Sequence, residues 1–493
     1  MNLRIKHLAI GLIVCYVALF LSLQIPQFLK TDELNANPSN TRQIEQVFDK
    51  PRGRIITADG VVIAQTLDAA PGGRFSFQRD YPKGDLYGHI TGYFTLANGA
   101  TQIEREYNGV LSGRSISIRN LNDIVRTGGN TGDVILTIRH DYQQLAARTL
   151  GKREGSIVML DPRTGAVLAL YSWPTYDPNL IANHNLKQAS SVLQKLLDDK
   201  RKPLLANAYQ ERYMPGSTFK MVTTTSALKY GVVTPDTEFA VENKYLPPQT
   251  KDPIENYGGK TCGGDLREVF RRSCNTPFAR MAVQLGGERF SKGADDFGLN
   301  EAPPFALPSP AASFVNKSGE DFDDKIPILA QRGFGAENVQ LTPLQMAMVA
   351  ATIANGGNEM APFVVARTTD RDGNTLTTTQ PKVWKTPMTT TVANTMVELM
   401  IGVVNGPNGT AQGRFKLPNG VQVAAKTGTA QLNPKGQRQR SHAWIAAFAP
   451  ANRPQVVVAV MLKGVNDTIS AGTGGKLAGP IANQLLTYAV AHP

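Results

Sequence analysis

The first apolar run limits this chain more than any other feature. From Leu8 to Ile25 there are eighteen residues without an Asp, Glu, Lys or Arg, and Pro26 closes the run. Crossing the hydrocarbon core of a bilayer takes about 17–25 such residues. Arg4 and Lys6 precede the run, a placement that keeps the N-terminus on the cytoplasmic side. A cleaved signal peptide is the competing reading, but its apolar core is usually about 7–15 residues long and a small-residue A-x-A site follows it. Here the run is longer and no such site follows. The sequence therefore predicts an uncleaved anchor over residues 1–25, one span in the cell membrane, and the rest of the chain outside the cytoplasm.

That compartment changes how the composition reads. The chain has 493 residues, 41% of them apolar, and a formal charge of +12. So apolar a chain is not wholly disordered, and its apolar share is too low for a polytopic membrane protein. The charge alone fits nucleic acid, a membrane surface, an anionic wall polymer or simple solubility; an extracytoplasmic location removes nucleic acid. Three cysteines exclude a disulfide-dense scaffold and a Cys₄ zinc site. Cys15 lies inside the span. Cys262 and Cys274 face a compartment where disulfides persist. Closing the loop between them would stabilise by roughly 3 kcal/mol, and both a bridge and two free thiols remain open at this point. The six histidines form no H-E-x-x-H or close pair, and no C-x-x-C, Gly-rich phosphate loop or G-x-S-x-G elbow occurs. No metal and no organic cofactor is expected.

Residues 26 to about 50 are polar, with Asn35, Asn37, Pro38, Ser39 and Asn40, and read as a linker. A β-rich module follows. Ile55-Ile56 and Val61–Ala64 flank Asp59-Gly60, a hairpin signal, and Val134–Ile138 reads as a strand leading to a helix from Asp141. At Gly155 the texture changes. Ser156–Leu160 and Ala166–Ser172 are strands joined by the turn Asp161-Pro162-Arg163-Thr164-Gly165. Three further strands are expected at Val421–Ala425, Ala443–Ala449 and Val456–Leu462, and a last helix at about Leu477–Val490. Helices over Thr218–Tyr230, Leu266–Leu285 and Pro343–Asn355 lie between the two strand groups; Thr342 is the N-cap and Pro343 the N1 residue of the last. Strands at both ends with helices between them describe an α/β sheet closed by its termini. Three segments result: an anchor at 1–25, a linker and module at 26–153, and a catalytic domain at 154–493.

One cluster carries nucleophile chemistry. In Tyr213-Met214-Pro215-Gly216-Ser217-Thr218-Phe219-Lys220, Pro215 and Gly216 turn the chain and Ser217 opens an apolar helix. At a helix N-terminus the backbone N–H groups are free and the dipole favours developing negative charge. Lys220 lies one turn along the same face. A serine hydroxyl is a poor nucleophile until a base takes its proton, and a desolvated lysine can be that base. Ser226 and Lys229 repeat the S-x-x-K spacing. At ~100° per residue, however, Ser226 faces the other side of the helix, near its C-terminal end, so it reads as a packing residue. Ser273-Cys274-Asn275 then supplies a hydroxyl and an amide, and Lys426-Thr427-Gly428-Thr429 follows directly on an expected strand. Gly428 would leave room for a substrate backbone. Lys317-Ser318-Gly319 also fits K-[TS]-G, but sits among Asp321, Asp323 and Asp324 with no strand before it.

S-x-x-K, S-x-N and K-T-G in this order resemble the motif set of the penicilloyl serine transferases. The whole chain resembles class B penicillin-binding proteins, the monofunctional D,D-transpeptidases of peptidoglycan synthesis. Pro51-Arg52-Gly53-Arg54-Ile55-Ile56 is similar to their R-G-x-I signature. Glu104, Tyr107 and Leu111-Ser112-Gly113 are similar to their G-L-E-x-x-Y segment, without its usual glycine and leucine. Asp161-Pro162, Thr164-Gly165, Tyr176-Asp177-Pro178-Asn179, Leu341–Ala347 and Ile353–Gly357 resemble catalytic-domain segments, and the short module with Asn256–Gly259 looks closest to actinobacterial penicillin-binding protein A. The resemblance implies a fold like that of the serine β-lactamases: a central antiparallel sheet flanked by helices, preceded by a small pedestal (dimerisation-like) module and one transmembrane helix. It also implies residue roles. Ser217 would attack the penultimate D-Ala carbonyl of a D-Ala-D-Ala stem and Lys220 would take its proton. Ser273 would relay a proton to the leaving D-Ala, and Asn275 would bind the substrate amide. Lys426, Thr427 and Thr429 would hold the terminal carboxylate, and the N–H groups of Ser217 and Thr429 would form the oxyanion hole. β-Lactams would be trapped on Ser217. A membrane glycosyltransferase is the implied partner, and nucleic acid is not.

Other functions share parts of this pattern. A bifunctional glycosyltransferase needs more than residues 26–153 offer. A D,D-carboxypeptidase or β-lactamase carries the same motifs but needs a water path, and the module argues against a simple β-lactamase. A β-lactam sensor or wall-synthesis scaffold is the non-enzymatic alternative. Arg271 and Arg272 beside Ser273, with Lys435, Arg438 and Arg440 after the Lys426 segment, could rim one cleft and attract an anionic stem, or could simply be solvated.

Overall fold

The structure is a computed structural model that describes residues 3–24, 48–114, 131–314, 325–433 and 437–493. The linker before residue 48, the Lys317-Ser318-Gly319 decoy and Lys435 lie outside the described residues.

The apolar run forms α1 (Leu3–Gln24), a 22-residue helix. At 1.5 Å rise per residue it is about 33 Å long, enough for one bilayer crossing. Residues 5–22 are exposed along its length, as suits a helix whose solvent is lipid. In chain order there follow β1 (Ile55–Ile56), β2 (Val62–Asp68), β3 (Phe77–Asp80), β4 (Asp133–Leu136), α2 (His140–Leu150), β5 (Gly155–Leu160) and β6 (Val167–Trp173). Then come α3 (Lys220–Lys229), β7 (Glu238–Glu242), β8 (Cys262–Asp265), α4 (Leu266–Arg272), α5 (Thr276–Asp296) and α6 (Pro343–Ala354). The chain closes with β9 (Val365–Thr369), β10 (Thr375–Thr378), β11 (Ala424–Gln431), β12 (Ser441–Ala449), β13 (Val456–Leu462) and α7 (Gly479–Ala491).

The catalytic sheet has five antiparallel strands in the order β11-β12-β13-β5-β6. Val458 pairs with Met159, so the late strands do close on the early hairpin. β13 is apolar along its whole length and wholly buried because helices cover both faces. α6 packs on one side; α7 packs on the other, with α2 beside it. A capping box between Thr342 and Gln345 starts α6 where Thr342 and Pro343 predict it.

The second sheet runs β10-β9-β4-β1-β2-β3. Its central pair β1 and β4 is parallel, with Ile55 opposite Val134. β9 and β10 come from beyond residue 153, and Val365 pairs with Leu136 of β4. The pedestal sheet is thus completed by a hairpin from the catalytic region, and Ile55, Val134 and Val365 belong to the same buried cluster as Val458. Glu104 ties the pedestal from inside. Its fully buried carboxylate takes Arg52 at 2.8 Å and Arg79 at 2.6 Å. Burial alone would raise this carboxyl, but the two guanidinium charges outweigh it and hold it below its ordinary value. The likenesses at Arg52 and at Glu104 are therefore two ends of one ion cluster.

One of the expected helices is interrupted. Leu266–Leu285 is not a single helix: α4 ends at Arg272 and α5 begins at Thr276. Pro277 occupies the first turn of α5, where proline is tolerated because its missing N–H is not needed. That proline was the signal for a break, and the apolar periodicity running through it hid the boundary.

Candidate active site

Three elements meet at one end of the catalytic sheet. Ser217 sits in a 3₁₀ turn, Gly216–Phe219, that leads directly into α3. Its N–H lies in the first turn, where no helical acceptor exists. The turn is pinned from both sides: Gly216 N–H donates to Gly335 O at 3.1 Å, and the Trp444 indole N–H donates to Met214 O at 3.0 Å. Gly216 has φ +53°, and a side chain there would meet Thr429 of β11.

Strand β11 is the edge of its sheet, so half of its backbone groups point away from β12. It runs Ala424–Gln431 and so contains Lys426–Thr429 rather than ending ahead of them. Gly428 is needed for a steric reason that its sequence does not show. A Cβ there would lie 2.7 Å from Pro215 O and 3.0 Å from Thr218 N. The glycine admits the nucleophile's own turn against the strand. Lys426, two residues earlier and on the same face, reaches under that turn and is 0% exposed.

The S-C-N triplet fills the break between α4 and α5. Ser273 N–H donates to Phe270 O and Cys274 N–H to Val269 O, both at 3.1 Å. This is a Schellman ending, with Ser273 at the left-handed position (φ +59°, ψ +43°) that glycine usually takes. A non-glycine residue there costs about 1–2 kcal/mol. What the serine adds is its hydroxyl. Lys426 Nζ donates to Ser273 Oγ at 2.8 Å, and Lys220 Nζ lies 3.4 Å from the same oxygen. Cys274, between Ser273 and Asn275, is bonded to Cys262 on β8, with Cα atoms 5.8 Å apart.

Lys220 is also 0% exposed. Its Nζ donates to Cys274 O at 2.6 Å, Ser273 O at 2.9 Å and Asn275 Oδ1 at 2.9 Å. None of these bonds goes to Ser217 Oγ. Burial pushes the amine well below the ordinary lysine range and the Lys426 charge pushes it further. The carbonyl partners favour the charged amine, but they do not replace a hydration shell for two cations in one dry site. Lys426 is brought down by burial to about 7. Burial therefore favours loss of a proton from both amines, while the three oxygen acceptors around Lys220 match the three N–H bonds of its charged form.

The structure brings Ser217, Lys220, Ser273, Asn275 and Lys426 to one place. Thr427 turns to the other face of β11 and donates to Thr410 Oγ1 at 2.6 Å; Thr429 Oγ1 accepts from Gly474 N–H at 3.3 Å. Ser226 is buried with its hydroxyl on Val222 O, and Lys229 pairs with Asp296, so the repeated S-x-x-K stays outside the cluster. Two residues of the site carried no chemical signal. Thr410 links Arg271 O, through its own N–H at 3.1 Å, to the Thr427 hydroxyl; a lone threonine after Asn-Gly does not announce that. Asn256 packs behind Asn275, and only its Asn-Tyr-Gly-Gly context marked it. Of the basic residues flanking the motifs, Arg272 pairs with Glu268 and both Arg438 and Arg440 with Asp467, while Arg271 donates to Pro407 O. Among the described residues no group of three His, Cys, Asp or Glu side chains could hold a metal.

Comparison with known proteins agrees with this geometry. Residues 155–487 match the penicillin-binding protein transpeptidase domain, and residues 52–135 match the penicillin-binding protein A dimerisation domain. The chain is 36% identical over 505 residues to the peptidoglycan D,D-transpeptidase PbpA of Mycolicibacterium smegmatis, covering 99% of each. It is also 36% identical to the PbpA of Mycobacterium tuberculosis over 503 residues, again 99% of each. Among solved structures, the ceftriaxone acyl-enzyme of M. tuberculosis penicillin-binding protein A superposes with a TM-score of 0.83 at 34% identity, covering 90% of this chain and 99% of that one. Its penicillin G acyl-enzyme gives 0.80 at 34% identity, covering 90% and 100%. With a transpeptidase-domain match over most of its length and full-length relatives at this identity, the chain belongs to the class B penicillin-binding proteins.

Proposed function

We propose that this protein is a peptidoglycan D,D-transpeptidase whose acyl-enzyme forms on Ser217. The observation that carries the reading is the Ser273 hydroxyl held between the two buried amines, 2.8 Å from Lys426 and 3.4 Å from Lys220, next to the turn that presents Ser217. Lys220, in its deprotonated form, takes the Ser217 proton as Oγ bonds the penultimate D-Ala carbonyl carbon. Its hydrogen bond to Oγ forms as substrate enters, since such bonds are often loose in free enzymes. The oxyanion is received by the N–H groups of Ser217 and Thr429. The C–N bond to the terminal D-Ala breaks, and the proton reaches the leaving amine through Ser273. Asn275 holds the substrate amide. Lys426, with Thr427 and Thr429, holds the terminal carboxylate. An amine of a neighbouring stem then displaces Ser217 and completes the cross-link. A β-lactam acylates the same oxygen and leaves no acceptor, the state captured for the M. tuberculosis protein in its ceftriaxone and penicillin G acyl-enzymes.

On this reading α1, long and apolar enough to span a bilayer, is the anchor, and residues 26–153 as a pedestal and 154–493 as the transpeptidase domain lie outside the cytoplasm. The pedestal and span are then positioned to meet a membrane glycosyltransferase. The enzymatic reading is tested with a D-Ala-D-Ala peptide, with and without an amine acceptor. Acceptor-dependent amide formation is expected. D-Ala release to water alone would make the protein a carboxypeptidase, and binding of β-lactam without turnover would make it a sensor or scaffold.

A further inference from the structure

We propose that Asn256 is a positioning residue for acyl transfer, setting the backbone from which Asn275 meets Lys220. The inference rests on the serine acyltransferase reading above and concerns a residue that touches neither substrate nor nucleophile.

The helix α5 begins at Thr276 with Asn275 as its N-cap, and the Asn275 side chain makes no capping bond. It is used elsewhere: Oδ1 accepts from Lys220 Nζ at 2.9 Å and Nδ2 donates to Glu255 O at 3.1 Å. A helix start whose own cap residue is diverted leaves N–H groups without acceptors. Asn256 supplies the acceptor from outside. Its Oδ1 receives Asn275 N–H at 2.6 Å and Thr276 N–H at 3.1 Å. Its Nδ2 donates to Glu242 O at 2.9 Å and lies 3.4 Å from Thr276 Oγ1. The backbone partners fix which end of the amide is which, since the oxygen faces two N–H groups and the nitrogen faces a carbonyl. The residue is 4% exposed, and both polar atoms of its side chain have partners.

The consequence is a division of labour. Asn256 holds the N–H groups of Asn275 and Thr276, and so fixes the backbone from which the Asn275 oxygen reaches Lys220. The Asn256 amide is two-faced. Oδ1 serves the motif and Nδ2 serves the strand-and-loop segment that carries it. That segment has independent ties to the domain: Glu242 makes a bidentate pair with Arg280 of α5 at 2.9 and 3.0 Å, and Cys262 is bonded to Cys274. Losing the Asn256 side chain therefore leaves the segment attached and frees Asn275 and Thr276 to reorient. Such a reorientation moves a partner of the catalytic lysine, and a displacement of about 1 Å at a reacting group costs on the order of 10²-fold in rate.

The experiment measures acylation of the full-length protein in detergent by a fluorescent penicillin over a concentration series, which separates the encounter constant from the maximal rate. Asn256→Ala is expected to lower the maximal rate about 10²-fold while the encounter constant stays within a few-fold. Asn256→Asp keeps an acceptor for both N–H groups and loses the Nδ2 donor. It should regain most of the rate, with thermal midpoints of the two variants alike. A role confined to packing would slow both variants equally, since both lose the bond to Glu242 O; that result, or a wild-type rate in Asn256→Ala, overturns the proposal. If Asn256→Ala does not fold, Asn256→Ser takes its place, and a maximal rate equal to the wild type's overturns the proposal in the same way. A wild-type protein that takes no label overturns the Ser217 reading itself and this inference with it, whereas failure of the variants alone touches only Asn256.

Discussion

Ser273 shows what a single position exchanges for function. Its backbone sits where glycine would be unstrained, yet a glycine there would remove the one hydroxyl shared by Lys220 and Lys426. Ser273→Gly should therefore keep or raise stability by up to about 1 kcal/mol while slowing acyl transfer by orders of magnitude. A melting curve with a labelling time course checks both halves, and a variant that is fast as well as stable contradicts the relay. The two lysines are coupled as well. The Lys426 charge is a second cause, after burial, of the low Lys220 value. Removing it with Lys426→Met raises the Lys220 pKa, so the acid limb of the pH–acylation profile should move to higher pH. An unmoved limb means the amines do not sense each other. At this scale the sequence was informative, because spacing along a helix separates Ser217 from Ser226. It did not show that Lys220 would spend its hydrogen bonds on Ser273, Cys274 and Asn275 rather than on Ser217, since those partners lie on another element.

The elements were legible where local chemistry repeats and opaque where tertiary contact decides. The β13 run, the 161–165 turn and the Thr342 cap all follow from their own residues. The α4–α5 break does not follow from periodicity, and its left-handed serine is held by Lys220 and the Cys262–Cys274 bond. Cys262→Ser with Cys274→Ser should lose roughly 3 kcal/mol of loop-closure stabilisation and slow acylation, because the Cys274 carbonyl is a Lys220 partner. Full stability and rate in the double variant, read by denaturant melt and labelling, would contradict this. Gly428 carries a packing role that its motif did not reveal. It is pressed by Pro215 and Thr218, so Gly428→Ala should displace the nucleophile turn and slow acylation even by a small β-lactam. If the glycine served only substrate approach, small ligands would react at the wild-type rate.

At the scale of the whole molecule, the boundary drawn at residue 153 separates motifs but not packing. β9 and β10 complete the pedestal sheet, and one buried cluster runs from Ile55 to Ala489. Pedestal and catalytic domain should therefore unfold together, as a single calorimetric transition of the detergent-solubilised protein. Two separated transitions would mean that the shared sheet contributes little. The +12 charge also looks different in the folded protein. Arg438 and Arg440 share Asp467 and Arg272 holds Glu268, so the clusters that look like an anion-attracting rim in sequence are partly neutralised, by one carboxylate a helical turn away and one distant along the chain.

The central claim is that Ser217, and not its helical look-alike, becomes the acyl-enzyme. Purified wild type, Ser217→Ala and Ser226→Ala are incubated with a fluorescent penicillin and separated on a denaturing gel. Covalent label is expected on wild type and on Ser226→Ala, and none on Ser217→Ala. Label of equal intensity on Ser217→Ala and wild type would contradict the account.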